Sequence, residues 1–168
     1  MIKLQSHVLA DTMVIIEAHR TNCWRLLVNN FKMDTVEKCV EECETGNQRI
    51  RNPVPVDITT LIRDLHPRKV GLHELTSFIL KYPEAQSLDP GEKELLTYAM
   101  TVSGAFYICS PDKMCMRVGH MLGIVDSFIS LQELIMSACP GHNASLRYNY
   151  TKQWLEGYRT EIKLDDIS

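Results

Sequence analysis

What this chain lacks narrows its reading first. No apolar run approaches the roughly 18 residues that cross a bilayer, and the stretch 8–16, which comes nearest, is interrupted by Asp11. No flanked apolar segment of the kind a secretory leader needs is evident at the N-terminus, so a cytoplasmic protein with no membrane partner is expected. There is no excess of positive charge: 18 Lys and Arg stand against 21 Asp and Glu, a formal net charge of −3. A nucleic acid would have to be held by a local basic patch, because the field of the whole molecule does not attract one. Internal repeats and low-complexity segments are also missing.

The six cysteines lack the spacing of a metal finger. Cys39 and Cys43 share one helical face, and Cys139 lies near His142, but neither has a matching second pair, which argues against zinc. Cys23, Cys109, Cys115 and Cys139 sit inside apolar segments, where a free thiol behaves as a small hydrophobe.

What is present suits one soluble domain. The chain has 168 residues, 45% of them hydrophobic and 23% charged, enough to bury a proper core. Residues 6–10 read as a buried strand ending at Asp11-Thr12, followed by one helix from Met13 to Asn29. A second strand over 32–36 leads into a helix through about Glu44, with Gly46 as its C-cap. Residues 47–57 carry two prolines and read as loop. Helices are expected over Ile58–Leu65, capped by Asp57, and over His73–Tyr82. Another runs from about Glu92 to Val102 after Leu88-Asp-Pro-Gly. Strand Ala105–Cys109, helix Asp112–Leu122 ended by Gly123, a short strand Ile124-Val125 and a helix from about Ser130 to Ala138 complete the body. Glu17, His19 and Arg20 read as a helix surface. Strand–helix alternation of this kind predicts an α/β fold, three-layered, with a central mostly parallel sheet and helices on both faces. The expected division is a domain over 1–139, with 47–87 a longer helical and loop insertion within it. A helical tail covers 140–168.

Four acids stand out against this pattern. Asp11 follows the first strand, Glu42 lies on the second helix, Glu92 opens a helix after Asp-Pro-Gly, and Asp112 follows the strand ending at Cys109. In an open parallel sheet, ligands bind at the carboxyl ends of the strands. Carboxylates gathered there would repel one another unless a divalent cation sat among them, and oxygen-only ligands suit magnesium or manganese. Each acid also has a structural reading. Asp112 could be a helix N-cap, Glu92 could favour its helix dipole, and Glu37, Glu41 and Glu42 compete for the second position.

The motif order resembles that of the PIN-domain nucleases, over roughly residues 6–138. The residues that carry the resemblance are Asp11-Thr12, Glu42, Leu88-Asp-Pro-Gly-Glu92 and Ser110-Pro-Asp112. The resemblance implies a metal-dependent endoribonuclease, and it includes the toxin components of toxin–antitoxin pairs. On this reading Asp11, Glu42, Glu92 and Asp112 hold magnesium or manganese and carry the catalysis, with Thr12 and Ser110 supporting them. RNA is the expected substrate, and an antitoxin protein or a second copy of the chain are the protein partners it allows. Arg49, Arg51, Arg63, Arg68 and Lys69 cluster between the second and third acids, and of these Arg49, Arg51, Arg68 and Lys69 are the candidate phosphate contacts. Scattered surface charge is the plain alternative. A non-catalytic module that keeps the fold and binds RNA or protein is the competing function. A phosphatase with Asp11 as nucleophile would want a second Asp two residues on, where this chain has Met13.

Overall fold

The computed structural model describes residues 1–45 and 53–165. The expected cap Gly46 and the candidate contacts Arg49 and Arg51 lie outside the described residues. The chain opens with β1 (His7–Ala10), α1 (Thr12–Arg20), α2 (Trp24–Asn30), β2 (Lys32–Asp34) and α3 (Glu37–Thr45). It continues through α4 (Ile58–Leu65), α5 (Leu72–Lys81), α6 (Pro90–Ala99) and β3 (Phe106–Cys109). The last elements are α7 (Lys113–Met121), α8 (Leu131–Ala138) and α9 (Lys152–Asp165).

The three strands form one parallel sheet in the order β2-β1-β3, with His7 opposite both Lys32 and Phe106. Parallel strands need long crossovers, which are helical here, and both sheet faces are then buried. β1 shows this directly. Val8 and Ala10 point into one apolar cluster with α1, α2, α4 and α8, while Leu9 points into another with α5, α6, α7 and α9. All three are fully buried, and a leucine so placed contributes about 1.5–3 kcal/mol. The fold is α/β. No helix among the described residues is long and apolar enough to cross a membrane.

Two elements differ from their expected form. The helix expected over Met13–Asn29 is two helices, because Asn22 takes a left-handed conformation at φ 57°. The Cys23 N–H then donates to the Ala18 carbonyl at 2.7 Å and the Asn22 N–H to the His19 carbonyl at 3.1 Å. This is a Schellman ending, in which asparagine serves where glycine is usual. The strand expected at Ile124-Val125 is instead a 3-10 turn over Val125–Ser127. Gly123, at φ 72°, ends α7, and the chain reaches the sheet only at Phe128, by a single bridge to Ile108. Other ends shift by up to three residues. The third acid's helix begins at Pro90, a favoured first helical position, and ends at Ala99.

The C-terminal stretch packs on the body. Tyr150 enters one core cluster, while Leu155, Tyr158 and Ile162 enter the other. Glu17 ties it down. This residue is fully buried, contrary to the surface position expected for it. Its carboxylate accepts from Arg20 Nε and Nη2 at 2.7 and 2.6 Å and from the Arg147 N–H at 2.9 Å. Arg20 also donates to the Ser145 carbonyl at 2.6 Å. Burial pushes the Glu17 pKa up, but these donors outweigh it and hold the group below its ordinary value of 4.5. A depressed acid contributes stability above its unfolded pKa and loses it as pH falls through the folded one. Glu17→Ala is expected to cost about 2 kcal/mol. That is less than the loss for a fully buried pair, because the Arg20 guanidinium and that of Arg147, 3.5 Å from Glu17, stay partly open to water. Urea melts at pH 7 and pH 3 should show the difference between variant and wild type shrinking at the lower pH.

Candidate active site

The acids are positioned by the sheet. The β1–β3 ladder runs on past its last strand residue, where the Asp11 N–H donates to the Cys109 carbonyl at 3.1 Å. Asp11 is therefore fixed at the carboxyl end of β1, beside the segment Ser110-Pro111-Asp112 that leaves β3. The Ser110 hydroxyl donates to Asp11 Oδ2 at 3.4 Å and accepts the Asp112 N–H at 3.3 Å. Asp112 is also the N-cap of α7, accepting the Cys115 N–H at 2.9 Å through Oδ1. The capping role considered for it is real, and it leaves the residue half-buried at the same end of the sheet.

Glu42 comes from α3. Its Oε2 accepts the Thr12 hydroxyl at 2.7 Å, and its Oε1 accepts the Gly91 N–H at 2.9 Å. The competing acids of that helix are elsewhere: Glu37 and Glu41 are exposed, and Glu41 pairs with Lys38 at 2.6 Å. Glu92 is the third residue of α6, and its side chain reaches back to the Asp89 N–H at 3.3 Å, which supports the helix start. Gly91 is the contact that sequence reasoning missed. Its one signal is the Pro-Gly pair immediately before Glu92.

Burial makes these groups unusual. Asp11, Glu42 and Glu92 are only 3%, 9% and 7% exposed. Burial pushes Asp11 up to about 7, and the negative charges of Glu42 and Asp112 push the same way. Glu92 rises to about 9, through burial first and then through Asp11 and Asp112. The charges raising these two pKa values all belong to other carboxylates. The thiols of Cys39, Cys109 and Cys115 are raised as well, by burial first and then by the neighbouring acids. They are packing groups.

As a donor set, the acids fit a hard divalent cation: oxygen ligands only, in excess negative charge, with little water. Each side chain is nonetheless held by its own hydrogen bonds. Among the described residues no three His, Cys, Asp or Glu side chains are gathered closely enough to grip an ion. His142, considered with Cys139 as half of a metal pair, has its Nε2 3.5 Å from Cys23 Sγ.

The candidate phosphate contacts are less assembled. Arg68 extends the β2 edge through its backbone, its N–H donating to the Thr35 carbonyl at 2.9 Å. The Thr35 hydroxyl in turn donates to the Ala10 carbonyl at 2.7 Å, next to Asp11. The Arg68 guanidinium, however, pairs with Glu74 at 3.4 Å and lies 5.8 Å from the centre of the Tyr98 ring. Lys69 is exposed. Arg63 pairs with Asp64 at 3.5 Å. Lys113 and Arg117, which flank Asp112, are engaged by α9: Lys113 sits 4.6 Å from the centre of the Tyr158 ring, and Arg117 lies 3.2 Å from Asp165.

Comparison with known proteins identifies no relative: no family model, curated protein or solved structure matches the chain.

The raised acids give a signed expectation for stability. A carboxyl whose folded pKa lies above its unfolded value binds more protons when folded, so its stabilising contribution is present at low pH. That contribution is lost as pH rises from the ordinary 3.8 of Asp11 through about 7, and from the ordinary 4.5 of Glu92 through about 9. EDTA-treated Asp11→Asn should therefore melt higher than wild type at pH 8, with the gap closing towards pH 4. Each kcal/mol corresponds to about 2–4 °C in a chain of this size. A variant melting below wild type at pH 8 would contradict the charge repulsion.

Proposed function

We propose that the chain is a PIN-like, magnesium- or manganese-dependent endoribonuclease, with Asp11, Glu42, Glu92 and Asp112 as the acidic site. The observation that carries this reading is the placement of these acids at one end of a parallel sheet, three of them buried, with carboxylates as one another's charged neighbours. Such repulsion is costly to maintain in a fold, and a bound divalent cation relieves it. When bound, divalent ions supply Lewis acidity and a lowered water pKa for hydrolysis of a phosphodiester. The chain's own part is to hold the carboxylates: Thr12 orients Glu42, Ser110 links Asp11 to Asp112, and the start of α6 presents Glu92. Because hydrolysis of this type uses water, no side-chain nucleophile is required. Arg68 and Lys69 remain the described candidates for phosphate contact, and Arg68 would have to leave Glu74 to make one. A toxin role with an antitoxin partner, and a homodimer, belong to this proposal as what the family resemblance implies.

One observation favours the second reading, a PIN-like module that binds RNA or protein without cleaving it. The acids are held on separate hydrogen bonds, and no three close on a common point.

The two readings separate in one pair of experiments. Calorimetric titration of manganese into EDTA-treated protein should show binding in the wild type and none in Asp11→Asn. RNA cleavage should need the metal and vanish in Asp112→Asn, where asparagine keeps the helix cap and circular dichroism should stay that of wild type. RNA binding that ignores EDTA, with no cleavage under any metal, would establish the non-catalytic module.

A further inference from the structure

Gly91 occupies the second position of α6, where glycine is a poor helix former and alanine would be better. Its backbone gives no reason for the choice, since the glycines at positive φ are Gly104, Gly123 and Gly141. The reason lies across the helix pair. The Gly91 N–H donates to Glu42 Oε1 at 2.9 Å. A Cβ built at this position would stand 3.0 Å from Glu42 Cδ and 3.1 Å from Cys39 Sγ, and closer still to Glu42 Oε2. The same oxygen is already held by the Thr12 hydroxyl at 2.7 Å. The carboxylate thus fills the space that a side chain at position 91 would take.

We propose that Gly91 is the positioning residue for Glu42: its amide and its missing side chain together set the carboxylate in the acidic site. The inference rests on the metal-site reading above and deepens it by adding a residue that is not itself a ligand. Glu42 Oε2 is the far end of a flexible side chain, whereas α3 and α6 are packed helices. A methyl group at position 91 therefore displaces the carboxylate most, while Cys39 Sγ on α3 gives by only a few tenths of an ångström. The expected result is a folded protein with a damaged site.

The test is calorimetric titration of manganese into EDTA-treated wild type, Gly91→Ala, Glu42→Asp and the double variant, with circular dichroism and a melting curve for each. Gly91→Ala should keep the wild-type spectrum and lose about 10- to 100-fold in manganese affinity, the range typical of residues that orient a metal ligand. Glu42→Asp alone should also bind more weakly than wild type. In the presence of the new methyl group, however, the shorter side chain withdraws its oxygens from the clash, so the double variant should bind more tightly than Gly91→Ala. A glycine needed only for helix packing would not give that reversal. Equal manganese affinity in wild type and Gly91→Ala overturns the assignment and leaves the metal site standing. A double variant no better than Gly91→Ala overturns it too. If Gly91→Ala does not fold, recovery of fold and binding in the double variant supports the assignment, and failure to recover overturns it. A wild type that binds no manganese removes the metal-site reading, and the inference with it.

Discussion

The carboxylate of Glu42 accepts one hydrogen bond from the start of α1 and another from the start of α6, so three helices from distant parts of the chain meet on a single charged group. A buried carboxylate is expensive unless its lone pairs are engaged, and here the engaging donors are the residues that flank the other acids. Thr12 follows Asp11, and Gly91 precedes Glu92. Holding Glu42 therefore draws the first and third acids towards it, although like charges oppose that approach. Burial is the first cause of the raised pKa values of Asp11 and Glu92; the charge of Glu42 adds to the rise at Asp11, and those of Asp11 and Asp112 add to the rise at Glu92. Hydrogen bonding ties together the residues beside the acids, while burial and like charge work against ionising Asp11 and Glu92.

Much of this was legible in the sequence where the cause is local. Asp57 caps its helix by accepting the Thr60 amide, as its residue type and place suggest. The end of β1 at Asp11-Thr12 follows from an apolar run meeting a charge. Residues whose role depends on distant partners were not legible. Glu17 resembles a solvated helix residue until Arg147 arrives from the far end of the chain. The break at Asn22 was hidden because asparagine took a position where glycine would have announced it. Helical spacing alone left Glu37, Glu41 and Glu42 open, because the choice depends on which face meets Thr12 and Gly91.

The C-terminal stretch shows the same dependence on distance. It carries Tyr150 into one cluster and Tyr158 into the other, so it spans both sides of the sheet. It also engages Lys113 and Arg117 on the helix that Asp112 caps. The segment expected as a helical tail is part of what sets the surroundings of the fourth acid.

The strand order has a kinetic meaning. β1 is central, yet its neighbour β3 lies most of the way along the chain, with His7 paired to Phe106. Parallel pairing across such a separation must await closure of a very long loop, and folds dominated by such contacts assemble slowly. Until β3 is in place, β1 has β2 on one side and an open edge on the other. Asp11 reaches its final place only when the Cys109 carbonyl takes its amide. The position of the first acid thus depends on one of the longest-range pairings in the fold.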